Sequence, residues 1–205
     1  MSTLSGIKQI MKKAIGITGG IATGKTTVSK MIAEAGYKVI DADQIAHEVE
    51  AKNTIGLKLI VDKFGKMVLR TDGSLDRKEL GKIVFNDKNK LQELNEILQP
   101  IIKQKLLDEI SLAKEGQETI FFEIQLLFER GYQEYLDKTI VVYSSKEVEI
   151  SRLMIRNHLS LGEAQKRISA QMDLDQKVKM ADIVIQNDSD QKSLRKQVDQ
   201  LLIQL

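Results

Sequence analysis

The residues best suited to chemistry lie near the start of the chain, where residues 19–26 read Gly-Gly-Ile-Ala-Thr-Gly-Lys-Thr. This stretch matches the pattern G-x-x-x-x-G-K-[ST], whose backbone N–H groups wrap around phosphate oxygens. In such a P-loop, Lys25 reaches the β- and γ-phosphates of a nucleoside triphosphate and the Thr26 hydroxyl coordinates magnesium. The pattern therefore predicts binding of a nucleoside triphosphate with Mg2+. The plain structural alternative is a glycine-rich turn that carries an exposed lysine.

A P-loop does not by itself distinguish a kinase from a GTPase or an ATPase. A GTPase interpretation finds a D-x-x-G pattern in residues 62–65. The same stretch ends a run of apolar residues with helical spacing, in which Gly65 would terminate the helix. No N-K-x-D sequence for reading guanine follows it. These features argue against a GTPase.

Acidic side chains follow two of the predicted strands. Asp41 and Asp43 come directly after residues 38–40, and Glu123 follows residues 119–122. Open α/β sheets bind ligands at the carboxyl ends of their strands, so one of the two aspartates can accept a proton from an attacking hydroxyl there. Alternatively, one of them only caps the helix that follows. Glu123 stands where it can hold magnesium through water, and a strand-end carboxylate without a ligand is the alternative.

Cysteine and histidine usage limits the other kinds of chemistry. The chain has no cysteine, which excludes disulfides, thiolate zinc sites and a cysteine nucleophile. His47 and His158 are the only histidines, so a structural metal site is not expected. His47 lies one helical turn beyond Asp43 and can line an acceptor pocket.

Length and charge restrict the class of protein. A chain of 205 residues fits one α/β core that carries a substantial insertion. The 31 basic and 29 acidic residues are too balanced to predict a nucleic-acid or membrane surface. No apolar run is long enough to span a membrane and no signal peptide is visible, so we expect a cytoplasmic protein. Residues 1–10 are interpreted as a disordered leader or a tag. The sequence does not predict an oligomeric state.

Five short apolar runs predict the strands of a parallel sheet. Each run is apolar throughout and does not alternate, which is typical of strands covered on both faces by helices. The predicted strands are 14–18, 38–40, 119–122, 139–143 and 182–185. Helical patterns lie between them and after them, over 26–35, 88–113, 146–156, 162–172 and 194–202. This alternation predicts right-handed βαβ units and an α/β fold.

The segment between the second and third predicted strands is too long for one crossover helix. We expect residues 44–117 to form a helical insertion within a single domain over 11–205. Pro100, the only proline, lies inside a helical pattern, where it removes a backbone donor and is expected to kink or break the helix.

Residues 16–27, together with 39–43, resemble the dephospho-coenzyme A kinases of the P-loop kinase superfamily. The resemblance covers about residues 14–203. Two positions depart from the family pattern, since Gln99 and Gln125 stand where the family has histidine and proline. The further matching stretches are 73–77, 84–86, 126–129, 152–156, 167–168, 171 and 181–187.

The resemblance implies a three-layer α/β P-loop NTPase fold with a five-stranded parallel sheet, a helical acceptor-binding insertion and a lid at about 152–172. It implies transfer of the γ-phosphoryl group of ATP to the ribose 3′-hydroxyl of dephospho-coenzyme A, the last step of coenzyme A synthesis. In this scheme Asp43 receives the hydroxyl proton and Arg77 contacts the acceptor. Arg152 and Arg156 close over the phosphates.

These roles define the expected site. Arginines four apart share one helix face, and their guanidinium groups can neutralise charge on the transferring phosphoryl group; the alternative is that they form ion pairs with Glu147 or Glu149. The catalytic residues are Lys25, Asp43, Arg152 and Arg156. The residues expected to bind the nucleotide are Gly19, Gly20, Ile21, Ala22, Thr23, Gly24, Lys25, Thr26, Thr27 and Asn187. The acceptor is expected at Asp41, Asp43, His47 and Arg77, and magnesium at Thr26 and Glu123.

Two other functions fit parts of the sequence. Another small-metabolite or nucleoside monophosphate kinase would share the P-loop, the basic lid and an inserted acceptor domain. A non-catalytic nucleotide-binding switch would share only the P-loop. The acceptor-side residues 41–43 and 75–77 favour dephospho-coenzyme A over the first alternative, and the absence of N-K-x-D argues against the second.

Overall fold

A computed structural model of the protein describes residues 13–205, and the expected leader over 1–10 lies outside the described residues. The strands are β1 (Ala14–Gly19), β2 (Lys38–Asp41), β3 (Ile120–Glu123), β4 (Lys138–Tyr143) and β5 (Ile183–Gln186). The helices are α1 (Lys25–Glu34), α2 (Ala42–Val49), α3 (Ile55–Phe64), α4 (Arg77–Val84), α5 (Lys88–Glu115), α6 (Lys146–Asn157), α7 (Leu161–Ile168), α8 (Leu174–Met180) and α9 (Gln191–Gln204). Short 3-10 turns lie at Lys66–Val68 and Tyr132–Tyr135.

The five strands form one parallel sheet in the order β2-β3-β1-β4-β5. β1 is the central strand, and its residues from Ala14 to Gly19 are all buried. Successive side chains of a strand point to opposite faces, so Ile15 and Ile17 join a core that includes residues of α1 and α9. A Cβ atom on Gly16 would lie 2.5 Å from side-chain atoms of both Leu127 and Leu136, so the second face of the sheet is closely covered as well. The predicted α/β fold with a five-stranded parallel sheet is confirmed.

The chain divides into two compact units, and the sheet belongs to the first, which comprises residues 13–41 and 110–205 of the described chain. The second unit, residues 42–109, is helical and has its own apolar core. Two of its helices begin at side-chain caps, where Thr54 accepts a hydrogen bond from Leu57 N and Asp76 accepts from Lys78 N. The insertion predicted over 44–117, the domain over 11–205 and the lid stay predictions.

Several helix bounds differ from the sequence-based ones. α7 ends at Ile168, four residues before the predicted end at 172. α9 begins at Gln191 and not at 194, because Asp190 accepts a hydrogen bond from Ser193 N and caps the helix there. Pro100 does not break α5, which runs unbroken from Lys88 to Glu115. Within residues 13–205, no helix is long and apolar enough to cross a membrane.

Candidate active site

The P-loop connects β1 to α1 at the carboxyl end of the central strand. Gly24 immediately precedes α1 with φ 94° and ψ 23°, a left-handed conformation that residues with a side chain rarely adopt. A Cβ atom at this position would also lie 2.3 Å from Nδ2 of Asn187. Two independent requirements therefore demand glycine at the start of the helix, where N–H groups can point at a phosphate.

The two residues expected to bind magnesium are adjacent. Oγ1 of Thr26 donates a hydrogen bond of 2.9 Å to Oε1 of Glu123. Strand register brings this about, because Glu123 lies beside Ile17 of β1, two residues before the P-loop. Asp41, expected on the acceptor side, is the neighbour of Glu123 on β2. Asp41 and Glu123 thus end adjacent strands of the sheet, and Thr26 contacts Glu123 there.

Side chains from distant parts of the first unit hold the P-loop backbone. Nδ2 of Asn187 donates to Thr23 O at 2.7 Å. Oε1 of Gln171 accepts from Ile21 N at 3.0 Å. The Ser144 hydroxyl donates to Asn187 O at 3.0 Å and so helps to hold Asn187 in place. Asn187, predicted to bind the nucleotide, therefore holds the backbone of the loop that is expected to surround the phosphates.

The structure adds a buried ion pair that the sequence analysis missed. Lys177 on α8 is fully buried, and its ammonium group lies 2.7 Å from Oε1 of Glu129. The same group donates to Gly19 O at 3.4 Å and to Gln125 O at 3.5 Å. Lys177 therefore ties the first residue of the P-loop to the segment that follows β3. The contact at Gln125 uses a backbone carbonyl, which glutamine and proline both provide.

A cavity of about 620 Å3 in the first unit brings the predicted nucleotide and lid residues together. The P-loop and the first turn of α1 form one wall, and α6 and the segment after β5 form others. Ile155, three-quarters exposed, adds an apolar surface. The lining residues are Gly20, Ala22, Gly24, Lys25, Thr26, Thr27, Arg152, Ile155, Arg156, Asn187, Ser189, Gln191 and Leu194.

Both lid arginines line this cavity, and their hydrogen bonds are to neutral partners. Nη1 of Arg152 donates to the Ser144 hydroxyl at 3.1 Å, and Nε of Arg156 donates to the Asn157 side chain at 2.9 Å. In the described part of the chain, neither arginine forms an ion pair with Glu147 or Glu149. Both arginines therefore line the cavity, and within residues 13–205 neither forms an ion pair with a carboxylate.

The remaining acceptor-side residues lie on one surface of the second unit. Asp43 and His47 are exposed on α2 and are four residues apart, so they share a helix face. The opposite face buries Ile45. Nε of Arg77, at the start of α4, lies 2.9 Å from Oε2 of Glu50, which continues the Asp43 face one turn further on. We call this group (Asp43, His47, Glu50 and Arg77) the acceptor-side surface.

Comparisons with known proteins agree on one family. The sequence profile of the family described as dephospho-CoA kinase matches residues 13–193. The dephospho-CoA kinase of Listeria monocytogenes serovar 1/2a is 46% identical over 92% of this chain and 94% of its own length. That of Staphylococcus haemolyticus is 44% identical over 94% of this chain and 95% of its own. The solved structure of dephospho-CoA kinase from Campylobacter jejuni has a TM-score of 0.72 at 34% identity, covering 95% of this chain and 97% of that chain.

Proposed function

The chain belongs to the dephospho-CoA kinase family, and we propose that it transfers the γ-phosphoryl group of ATP to the ribose 3′-hydroxyl of dephospho-coenzyme A. It is an ATP-dependent phosphotransferase with an alcohol acceptor. The products are coenzyme A and ADP, and the reaction is the last step of coenzyme A synthesis. The small-molecule acceptor is the partner that this function requires.

The observation that carries this proposal is the convergence of the P-loop and the two lid arginines on one cavity. Lys25 supplies a charge next to the β- and γ-phosphates, while Arg152 and Arg156 supply charge from the other side. Phosphoryl transfer depends mainly on positioning and on electrostatic stabilisation, so this arrangement is what the chemistry needs. A basic lid over the site also excludes water and limits wasteful hydrolysis of ATP.

Thr26 and Glu123 are suited to hold Mg2+ with the nucleotide. Hydroxyl and carboxylate oxygens are ligands that magnesium prefers, and their 2.9 Å contact shows that both reach the same place. Magnesium in such sites takes few protein ligands and several from phosphate and water. When bound, the ion neutralises charge that develops on the phosphate oxygens.

The acceptor-side surface supplies the remaining groups of the proposal. Asp43 receives the proton of the attacking hydroxyl, because it is an exposed carboxylate at the start of α2, directly after β2. Arg77 contacts the acceptor, and its side chain is half exposed despite the ion pair with Glu50. His47 adds a polar side chain on the same helix face as Asp43.

The test is to measure ADP release from ATP and magnesium with and without dephospho-coenzyme A, and to identify the product by mass. We expect strong stimulation by the acceptor and the addition of one phosphate to it. AMP serves as the matched control acceptor. Turnover of AMP but not of dephospho-coenzyme A would contradict the proposal, as would equal ADP release with and without acceptor.

A further inference from the structure

Glu149 is a buried carboxyl group that the proposed reaction does not use. It lies in the first turn of α6, and only 3% of the residue is exposed. Its Oε1 atom has no hydrogen-bond partner within the described chain. A buried oxygen without a donor is costly when it carries a charge. Burial therefore raises the free energy of the ionised carboxyl group relative to its neutral form.

The unpartnered oxygen lies against the P-loop. A Cβ atom on Gly20 would come within 2.0 Å of Oε1 of Glu149, so only glycine lets the carboxyl group approach this closely. Gly20 and Glu149 also line a second cavity of about 580 Å3 in the first unit. The carboxyl group thus lies against a residue whose backbone is expected to surround the phosphates.

The charged groups around Glu149 shift its pKa in opposite directions. The pKa of Glu149 is raised to about 7, chiefly by burial and to a smaller extent by Asp173, although Lys177, Lys146 and Lys25 lower it. Lys177 also pairs with Glu129, so its charge acts on two carboxyl groups. Tyr143, on β4, faces the same group, and burial followed by Asp175, Asp188 and Glu149 raises its pKa. Both forms of the Glu149 carboxyl are therefore populated near neutral pH.

Bound ATP would place several negative charges on the loop that touches this carboxyl group. An ionised Glu149 would repel them and would compete for the charge of Lys25, whereas a neutral Glu149 would do neither. We propose that Glu149 is a proton-linked positioning residue of the P-loop, whose carboxyl takes up a proton when a nucleoside triphosphate binds. This inference rests on the proposed function only in requiring that the P-loop binds ATP.

The position of Glu149 on α6 extends the effect to the lid. Arg152 and Arg156 follow it by three and seven residues and therefore lie on the same side of the helix. The first turn of α6 is fixed where Glu149 meets Gly20. Neutralising the carboxyl group removes a charge from that contact and leaves its shape unchanged.

The experiment is isothermal titration of the full chain with magnesium and a non-hydrolysable ATP analogue, without acceptor, between pH 6 and pH 8. Each titration is run in two buffers that differ in ionisation enthalpy, which gives the number of protons taken up. The wild type is expected to take up a fraction of a proton near pH 7. If binding raises the pKa of the carboxyl group by about one unit, affinity falls roughly fivefold from pH 6 to pH 8.

Glu149→Gln keeps the shape and removes the titration, so its proton uptake is expected to drop and its affinity to vary less with pH. The matched control is Glu147→Gln, an exposed carboxylate of the same helical turn, which is expected to behave like the wild type. Proton equilibria of the nucleotide are common to all the proteins and cancel in the comparison. Glu149→Met provides a second neutral variant of similar length in case the glutamine variant does not fold.

Three outcomes would overturn the inference. Equal proton uptake by the wild type and a folded neutral variant would show that another group binds the proton. Loss of nucleotide binding at every pH in both neutral variants, with fold retained, would show that the ionised form is the one required. Absence of nucleotide binding by the wild type would reject the proposed function as well, which separates the two failures.

Discussion

The P-loop and the acceptor-side surface are organised in different ways. The P-loop is held from outside by side chains that are far away in sequence, since Asn187, Gln171 and Lys177 each bond to its backbone. The acceptor-side surface consists of exposed side chains on α2 and at the start of α4, together with Glu50, which is only partly exposed and pairs with Arg77. The first region is a fixed backbone shape, and the second is a set of mostly exposed groups.

This difference suggests that the two regions contribute to different steps of catalysis. A preorganised backbone offers its N–H groups without the cost of ordering them, so it should dominate nucleotide binding and charge stabilisation. Exposed groups that already have partners can be changed with little effect on the fold, so substitutions there should affect the acceptor and the proton transfer alone. Four variants test this division, in order of expected effect.

Lys25→Ala is expected to have the largest effect. It removes the charge that Lys25 is proposed to place next to the β- and γ-phosphates, and we expect kcat/KM to fall about 1,000-fold, or about 4 kcal/mol of transition-state stabilisation. Steady-state assays of ADP release measure this. Lys30→Ala, an exposed lysine of the same helix, is the control and should be near normal. Near-normal kcat in the Lys25 variant would contradict the role of the P-loop.

Asp43→Asn tests the other region. We expect kcat to fall about 100-fold, because the variant lacks the group proposed to receive the hydroxyl proton, while ATP affinity stays unchanged. Asp62→Asn changes another exposed carboxylate of the second unit and should leave both quantities alone. A collapse of ATP affinity in the Asp43 variant would instead make this residue part of the metal shell, and the division between the regions would fail.

Glu149→Gln tests whether Glu149 is held buried beside the P-loop, through the pH dependence of the free energy of unfolding. Because folding raises the pKa of Glu149 from 4.5 to about 7, the folded state binds more protons than the unfolded state between these values. The wild type therefore loses stability as pH rises through this window, and the loss is complete above it. Relative to the wild type, the variant should gain about 1–3 kcal/mol between pH 4 and pH 8.

Urea unfolding at pH 4, 6 and 8 measures this gain. Glu147→Gln should show a constant difference from the wild type across the same range, because this carboxylate is exposed. A stability difference between Glu149→Gln and the wild type that does not change with pH would show that burial does not shift the titration of Glu149.

Arg77→Ala is expected to have the smallest effect. We expect the KM for dephospho-coenzyme A to rise up to about tenfold with kcat nearly unchanged, since one contact to the acceptor is lost. The pair with Glu50 is half exposed on the side of Arg77 and should contribute about 1 kcal/mol or less to stability. Arg70→Ala changes a nearby exposed arginine of the same unit and serves as the control. A rise in the KM for ATP in the Arg77 variant would show that the acceptor-side surface also affects nucleotide binding.

The sheet could be predicted from the sequence because its strands are covered on both faces. Each strand is a nearly continuous apolar run, and the predicted runs lie within one or two residues of the observed strands. The predicted helix bounds were less accurate where a capping residue sets the first residue of the helix, as Asp190 does for α9. Of the two effects expected at Pro100, a kink or a break, the break was wrong, because a helix that lacks one donor can still be held by its neighbouring hydrogen bonds.

Much of the candidate site could be predicted from local motifs. The buried side chains that contact the P-loop from other elements could not. The P-loop pattern lies in one stretch of sequence, so Thr26 and Gly24 were identifiable from spacing. Lys177 lies in a short, polar helix, where a lysine ordinarily faces water. Only the fold places it beside Glu129 and Gly19. The same holds for Glu149, which the sequence suggested as a partner of the lid arginines but which is buried against Gly20.

The place of β1 at the centre of the sheet also matters while the protein is being made. Residue 14 pairs with residue 120, and residue 15 pairs with residue 138, so the apolar first strand leaves the ribosome long before its partners. At about 5–20 residues per second, this delay is roughly 6–25 s. Residues 42–109 emerge within that interval and carry a core of their own. We therefore expect the helical unit to be completed first, while the strand that leads into the P-loop stays exposed to aggregation until β3 and β4 arrive.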